Sequence, residues 1–158
     1  FKRRDPAAAR ALLREDLDIL ERMGALGQRS SVLNRLAMCD WMEADTADDA
    51  EPLRRSALSN ASASWDAAVR TARPVDLIFA AFNVLTYGVA LQDAERINEI
   101  GRSLTGRPDG WPWADAAALW ATVPGWLKGK KSAEMEDLGP KLTALGADWV
   151  DDLTALMG

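Results

Sequence analysis

The sequence predicts an all-α protein of about seven helices arranged in short antiparallel hairpins. Apolar residues recur at spacings of three and four along most of the 158-residue chain, which is typical of helices with one buried face. No segment shows the sustained apolar–polar alternation of a strand bounded by hairpin turns. With 48% hydrophobic and 27% charged residues, the chain has the composition of a globular domain.

The first helix is predicted to begin at Asp5-Pro6. Aspartate is a favourable helix cap, and proline is tolerated in the first helical position. Gly24 and Gly27 are predicted to end this helix. Its apolar stripe consists of Leu13, Leu17 and Leu20, with Leu12, Ile19 and Met23 beside it.

The next two helices flank an acidic stretch. Ser30 or Ser31 is predicted to cap the second helix, since serine side chains satisfy free amide groups at helix starts. The acidic stretch from Asp40 to Glu51 then leads into a third helix, whose pattern continues to Arg73. Pro74 is expected to end that pattern.

The most apolar helix follows, and its composition predicts a central position. Asp76 is expected to cap a helix over Leu77–Leu91 that is apolar nearly all round. Asn83, Thr86 and Tyr87 are its polar residues, predicted as hydrogen-bonded core groups, with a small pocket as the alternative.

The remaining helices are predicted over Ala94–Leu104, over Trp113–Leu127 and from Ser132 to the end. The buried side of the helix over Trp113–Leu127 is predicted to carry Ala116, Leu119 and Trp120. The loop 105–112 is glycine- and proline-rich and forms the clearest internal boundary. It is too short to separate domains, so residues 1–158 are predicted to form a single helical domain.

Charge and residue usage argue against several classes of protein. With 19 basic and 24 acidic residues, the chain lacks the basic surface of nucleic-acid binders. The absence of histidine excludes Ser-His-Asp and Cys-His catalysis and histidine-containing metal centres. The single cysteine, Cys39, is predicted to be inert core, and it favours a cytoplasmic location. The longest apolar stretch is too short for a membrane span, so a soluble protein without a cofactor is expected.

The acidic stretch is the first candidate site, predicted to bind another, basic protein. Carboxylates so close together repel one another, and a basic partner would offset that repulsion. A magnesium or calcium site is one alternative, and a solvated loop is the other. The predicted contact residues are Asp40, Trp41, Glu43, Asp45, Asp48, Asp49 and Glu51.

The second candidate site is the tryptophan pair in Trp111-Pro112-Trp113. Tryptophan is enriched at binding hot spots, which favours an exposed anchor for a partner protein. The alternative is a loop folded back over the core. Cys39, Trp41, Trp65, Trp120 and Trp149 fall within helical patterns and are predicted to pack between helices.

The segment from Asp76 to Leu104 resembles a tetratricopeptide-type hairpin, with its turn at Leu91-Gln92-Asp93-Ala94. The resemblance implies a short stack of hairpins, and an irregular helical bundle is the alternative. The segment departs from that family at Ile97, where a small residue is expected, and at Gly101, where an aromatic residue is expected. No residue's role is therefore carried over.

The Ala-, Arg- and Trp-rich, histidine-free C-terminal half, especially Trp113–Leu127 with Gly129-Lys130-Lys131, resembles helical immunity proteins of bacterial toxin systems. That resemblance implies an inhibitor that binds and neutralises a basic toxin domain, and it identifies no residue. A protein-interaction module of this kind is the first functional hypothesis.

Two alternatives remain from the sequence. The chain begins with Phe1 rather than methionine, which favours a helical regulatory or scaffold domain of a longer protein. The acidic stretch would also suit an enzyme that uses carboxylates, with or without magnesium.

Overall fold

The computed structural model describes residues 5–71, 73–91, 93–104, 107, 110, 113–114 and 116–120. These residues contain five complete α-helices and no strand, and residues 113–114 and 116–120 are helical as well. The all-α prediction is therefore confirmed. The helices are α1 (Pro6–Met23), α2 (Leu26–Ala44), α3 (Glu51–Thr71), α4 (Pro74–Ala90) and α5 (Ala94–Leu104).

Helix α1 begins and ends at predicted residues. The Asp5 carboxylate accepts a hydrogen bond of 2.9 Å from the Ala8 amide, and Pro6 occupies the first turn. Gly24 ends the helix with φ of +65°, a left-handed conformation that glycine adopts without steric cost. Gly27, also expected to end α1, lies inside α2 because the chain has already reversed at Gly24 and Ala25.

Helix α2 begins at Leu26, so the prediction that Ser30 or Ser31 caps it is wrong. Ser30 is fully buried inside the helix pair. Its hydroxyl donates to the Ser64 carbonyl at 3.0 Å, and the Ser64 hydroxyl donates to the Ser30 carbonyl at 2.8 Å. These two bonds join the start of α2 to the end of α3, so the two helices are antiparallel.

Helix α4 begins at Pro74, two residues before Asp76, so the prediction that Asp76 caps it is wrong. Proline ends the preceding pattern and also starts the next helix, because its fixed φ is helical and its missing amide is not needed there. Asp76 lies in the first turn of α4, where its carboxylate is 3.2 Å from Arg73 Nε.

The central position of α4 is confirmed. It packs against α2, α3 and α5, and its residues Leu77, Ala80, Ala81, Leu85 and Tyr87 have no exposed surface. The hairpin of α4 and α5 is therefore stacked, through α4, on the hairpin of α2 and α3. Helix α1 packs against α2 at one edge of this stack.

Helix α5 has the predicted bounds, and Asp93 caps it by accepting a 3.0 Å hydrogen bond from the Arg96 amide. In the following helical segment Ala116 and Leu119 are buried as predicted. Trp120, predicted on the same buried side, is instead 40% exposed, although its ring lies directly against Gly101 of α5. The helices predicted after Trp120, including Trp149, lie outside the described residues.

None of the helices in the described ranges has both the length and the apolar character needed to cross a membrane.

Candidate functional site

The structure divides the acidic stretch into a buried part and an exposed part. Asp40 has no exposed surface and lies at the meeting point of three helices. Its Oδ2 accepts hydrogen bonds from the Ser56 hydroxyl at 2.6 Å and the Asn60 amide at 2.9 Å. Its Oδ1 lies 3.3 Å from Arg10 Nη1. Asp40 therefore connects α2 to α1 and α3 and does not face solvent.

Trp41 is also buried, with 8% of its surface exposed. Its ring stacks on Tyr87 of α4, with the ring centres 4.4 Å apart and the planes 11° from parallel. The Arg54 guanidinium lies 5.6 Å from the Trp41 ring centre, within cation–π range. Trp41 thus packs α2 against α4, and its ring is not available as surface for a partner in this conformation.

Glu43 is half-buried and paired with Arg10 of α1. Its Oε1 accepts a 3.1 Å hydrogen bond from Arg10 Nη2, and its Oε2 lies 3.0 Å from Arg10 Nη1 as an ion-pair contact. One arginine therefore balances two carboxylates, those of Asp40 and Glu43, across the contact between α1 and α2.

The exposed part is the acidic turn, defined here as residues 45–51. Asp45, Asp48, Asp49 and Glu51 are all exposed. Glu51 pairs with Arg55 at 2.7 Å, whereas Asp45 is 3.9 Å from Arg54. The Asp49 side chain accepts a 3.3 Å hydrogen bond from the Glu51 amide. Among the described residues, no cation pairs with Asp48 or Asp49.

The acids do not form a cation cage in the part of the chain that the structure describes, where no group of three or more carboxylate or thiol side chains is placed to hold a metal ion. A divalent cation needs several oxygen ligands around one point. The geometry therefore gives no support to the magnesium or calcium alternative.

The tryptophan pair is described only in part, because Trp111 lies outside the described residues. Trp113 is half-buried and packs against the main core cluster. The Arg107 guanidinium covers its ring at 4.6 Å from the ring centre. This arrangement favours the alternative of a segment folded back over the core.

A polar groove that the sequence did not predict lies between α3 and α5. Its volume is about 350 Å³. The groove is lined mainly by charged and hydroxyl side chains, including Arg55, Ser59, Asp66, Asp93 and Arg96. Both arginines already pair with glutamates of their own helices, Glu51 and Glu99, so neither is a free positive charge that would select an anionic ligand.

The outer face of α1 carries exposed apolar side chains. Leu12, Ile19 and Met23 are 64%, 44% and 74% exposed, although the sequence placed them beside the buried stripe. The adjacent face of α1 is buried, where Leu13 and its neighbours pack on Leu36 and Cys39. Because apolar residues cover a wide arc of this helix, the sequence pattern did not predict which of them would face solvent.

Two buried groups have raised pKa values. Burial, reinforced by the neighbouring Asp40 charge, raises the pKa of the Cys39 thiol to about 11. Burial likewise raises the pKa of Tyr87, whose hydroxyl has no hydrogen-bond partner among the described residues. A nucleophilic thiol needs a lowered pKa, so Cys39 is placed as a packing residue.

Comparisons with protein-family models, with curated proteins and with solved structures found no match to this chain. Its function is therefore inferred from its own residues.

Proposed function

We propose that this chain is a protein-interaction module whose acidic turn binds a basic partner protein. The observation that carries the proposal is the pair Asp48 and Asp49, exposed carboxylates without a pairing cation among the described residues. The charged side chains of a basic partner would supply the missing counter-charges.

The contacts that hold the end of α2 in place, next to the acidic turn, support this role. Asp40 and Trp41 fix the end of α2 against α1, α3 and α4, and α3 begins at Glu51. The carboxylates are therefore presented on a short connection between two packed helices. Less side-chain and backbone freedom is lost on binding when a surface is already ordered.

The main effect of such a turn is on the rate at which a basic partner associates and on which partner is selected. An exposed ion pair contributes roughly 0–1 kcal/mol, so three or four pairs alone do not make a tight complex. Complementary charge raises the association rate and selects partners by sign. We expect the acidic turn to set partner choice, with additional apolar contacts supplying most of the affinity.

An inhibitor that neutralises a basic toxin domain is the narrower form of this proposal. Its support is the overall charge of −5 and the exposed acidic turn. A helical regulatory or scaffold domain would use the same surface, and the identity of the captured partner distinguishes the two.

The test is a capture experiment with the whole chain at ~0.1 M and ~0.5 M salt, over which the screening length falls below about 10 Å. The test variant is Asp45→Asn/Asp48→Asn/Asp49→Asn, which removes three charges and leaves an asparagine in place of Asp49 whose side-chain oxygen can still accept the hydrogen bond from the Glu51 amide. The control variant, Asp66→Asn/Glu95→Gln/Glu99→Gln, removes three exposed charges on α3 and α5, away from the turn.

We expect the wild-type chain and the control variant to retain the same basic protein at low salt, and the turn variant to lose it. A basic toxin domain among the retained proteins would support the inhibitor form. If the turn variant retains the partner as well as the wild type does, the acidic turn is not the binding surface and the proposal is wrong.

A further inference from the structure

The outer face of α1 has the residue spacing of a helix–helix seam. Leu12, Asp16, Ile19 and Met23 are separated by four, three and four residues, the spacing at which positions of one helix face a partner helix in a coiled coil. The three apolar members of this seam are exposed. Among the described helices, α1 packs chiefly against α2, through the neighbouring face that carries Leu13 and Leu17.

Two opposite charges flank the seam on one side. Glu15 and Arg22 are seven residues apart, which is two helical turns, or about 10 Å along the axis, so they cannot pair with each other. Neither forms an ion pair among the described residues, and the Arg22 Nε donates a 3.2 Å hydrogen bond to the Asp18 carbonyl.

We propose that a second copy of this chain covers the outer face, with the two α1 helices antiparallel about a two-fold axis near Asp18. The axis places Leu12 against the partner's Met23, and it places Glu15 opposite the partner's Arg22. By symmetry each contact occurs twice. A parallel pair would instead place Glu15 across the seam from the partner's Leu20, without an opposite charge, so the charge pattern selects the antiparallel arrangement.

Asp16 limits the strength of this association. It lies in the seam between Leu12 and Ile19, and the two-fold axis brings the two Asp16 carboxylates close together. A polar residue in such a seam fixes the register and lowers the affinity. The dimer is therefore weak and concentration-dependent. This surface is separate from the acidic turn, so the inference goes beyond the proposed function.

The experiment is analytical ultracentrifugation of the whole chain from ~1 to ~300 μM, a range that detects micromolar association. Wild type is compared with Glu15→Arg, Arg22→Glu and the double variant Glu15→Arg/Arg22→Glu. Each single change places like charges opposite each other at both symmetric contacts, whereas the double change restores opposite charges. Glu95→Arg on α5 is the control with the same charge change at an exposed site outside α1.

We expect wild type and Glu95→Arg to change from monomer to dimer with concentration. Each single α1 variant should weaken dimerisation at least about fivefold, and the double variant should return to within about twofold of wild type. Asp16→Leu should strengthen association and Leu12→Ser should weaken it, with the helical circular dichroism unchanged in both.

Two results would overturn the inference. One is a wild-type chain that remains monomeric across the whole concentration range. The other is a double variant that associates no better than the single variants. In the antiparallel arrangement, the double change restores opposite charges at both contacts and should therefore restore dimerisation.

Discussion

Asp40 and Asp48 are the same residue type in the same acidic stretch, yet their environments are opposite. Asp40 is buried and accepts hydrogen bonds from Ser56 and Asn60, with Arg10 beside it. Asp48 is exposed on the acidic turn. A buried carboxylate is tolerated only with partners of this kind, and Asp40 takes its partners from α1 and α3, far from it in sequence.

Replacing Asp40 by alanine is expected to lower the free energy of unfolding by about 3 kcal/mol, because it leaves Arg10, Ser56 and Asn60 without their shared acceptor. Urea denaturation measures this loss. Asp45→Ala is the control, with an expected change within about 0.5 kcal/mol, because Asp45 is exposed and its ion pair is long. Equal effects of the two substitutions would contradict the structural role of Asp40.

The raised pKa of Cys39 predicts a specific loss of stability in alkali. The unfolded thiol ionises near pH 9, whereas burial keeps the folded thiol protonated until about pH 11. Ionisation between these values favours the unfolded chain, so the free energy of unfolding should fall as the pH rises from 9 to 11. Below pH 9 the thiol is protonated in both states and contributes no pH dependence.

Urea denaturation at pH 8 and pH 10.5 tests this prediction in the wild type and in Cys39→Ala. The fall between the two pH values should be smaller in the variant, although Tyr87, whose pKa is also raised by burial, keeps part of it. An identical fall in both proteins would show that the thiol is not a source of the pH dependence.

At the scale of helices, the sequence correctly predicted those helix ends that depend only on neighbouring residues. Asp5-Pro6 and Gly24 bound α1 because the cap and the left-handed turn involve only neighbouring residues. Ser30 could not be placed in this way, since its partner Ser64 lies 34 residues away. Serine serves equally as a helix cap and as a small polar contact between helices.

The contact between α5 and the helical segment after it depends on Gly101. A Cβ atom at this position would overlap the Trp120 ring, so Gly101→Ala should lower the free energy of unfolding by about 1–2 kcal/mol, despite alanine's higher helix propensity. Gly27 is the matched control, because a Cβ there meets nothing within 4 Å.

Gly27→Ala is expected to stabilise the protein by about 0.5 kcal/mol. Thermal unfolding followed by circular dichroism measures both variants. If Gly101→Ala stabilises the protein as much as Gly27→Ala does, the close approach of Trp120 to α5 is not required by the fold.

At the scale of the whole molecule, the described helices form a stack with a buried centre and an open edge. Helix α4 contacts α2, α3 and α5, whereas α1 packs chiefly on α2. The free energy of local unfolding should therefore differ between these helices, because unfolding of α4 exposes far more apolar surface than unfolding of α1 does.

Hydrogen exchange followed by mass spectrometry should therefore show slower amide exchange in α4 than in α1. We expect the difference at low protein concentration, where the proposed dimer does not cover α1. Equal protection of α1 and α4 would mean that the helices open only together, as one cooperative unit.

The sequence by itself determined the helical class, the bounds of α1 and α5 and the central position of α4. Those features follow from residue spacing and from caps within a few residues. Only the tertiary structure showed that Asp40 and Trp41 are buried, that Arg10, Arg54 and Arg55 balance much of the acidic stretch, and that Leu12 and Met23 face solvent. The physical reason is that exposure and charge pairing depend on which helices meet, and residues that meet can be far apart in sequence, as Asn34 and Asn83 are, hydrogen-bonded across 49 positions.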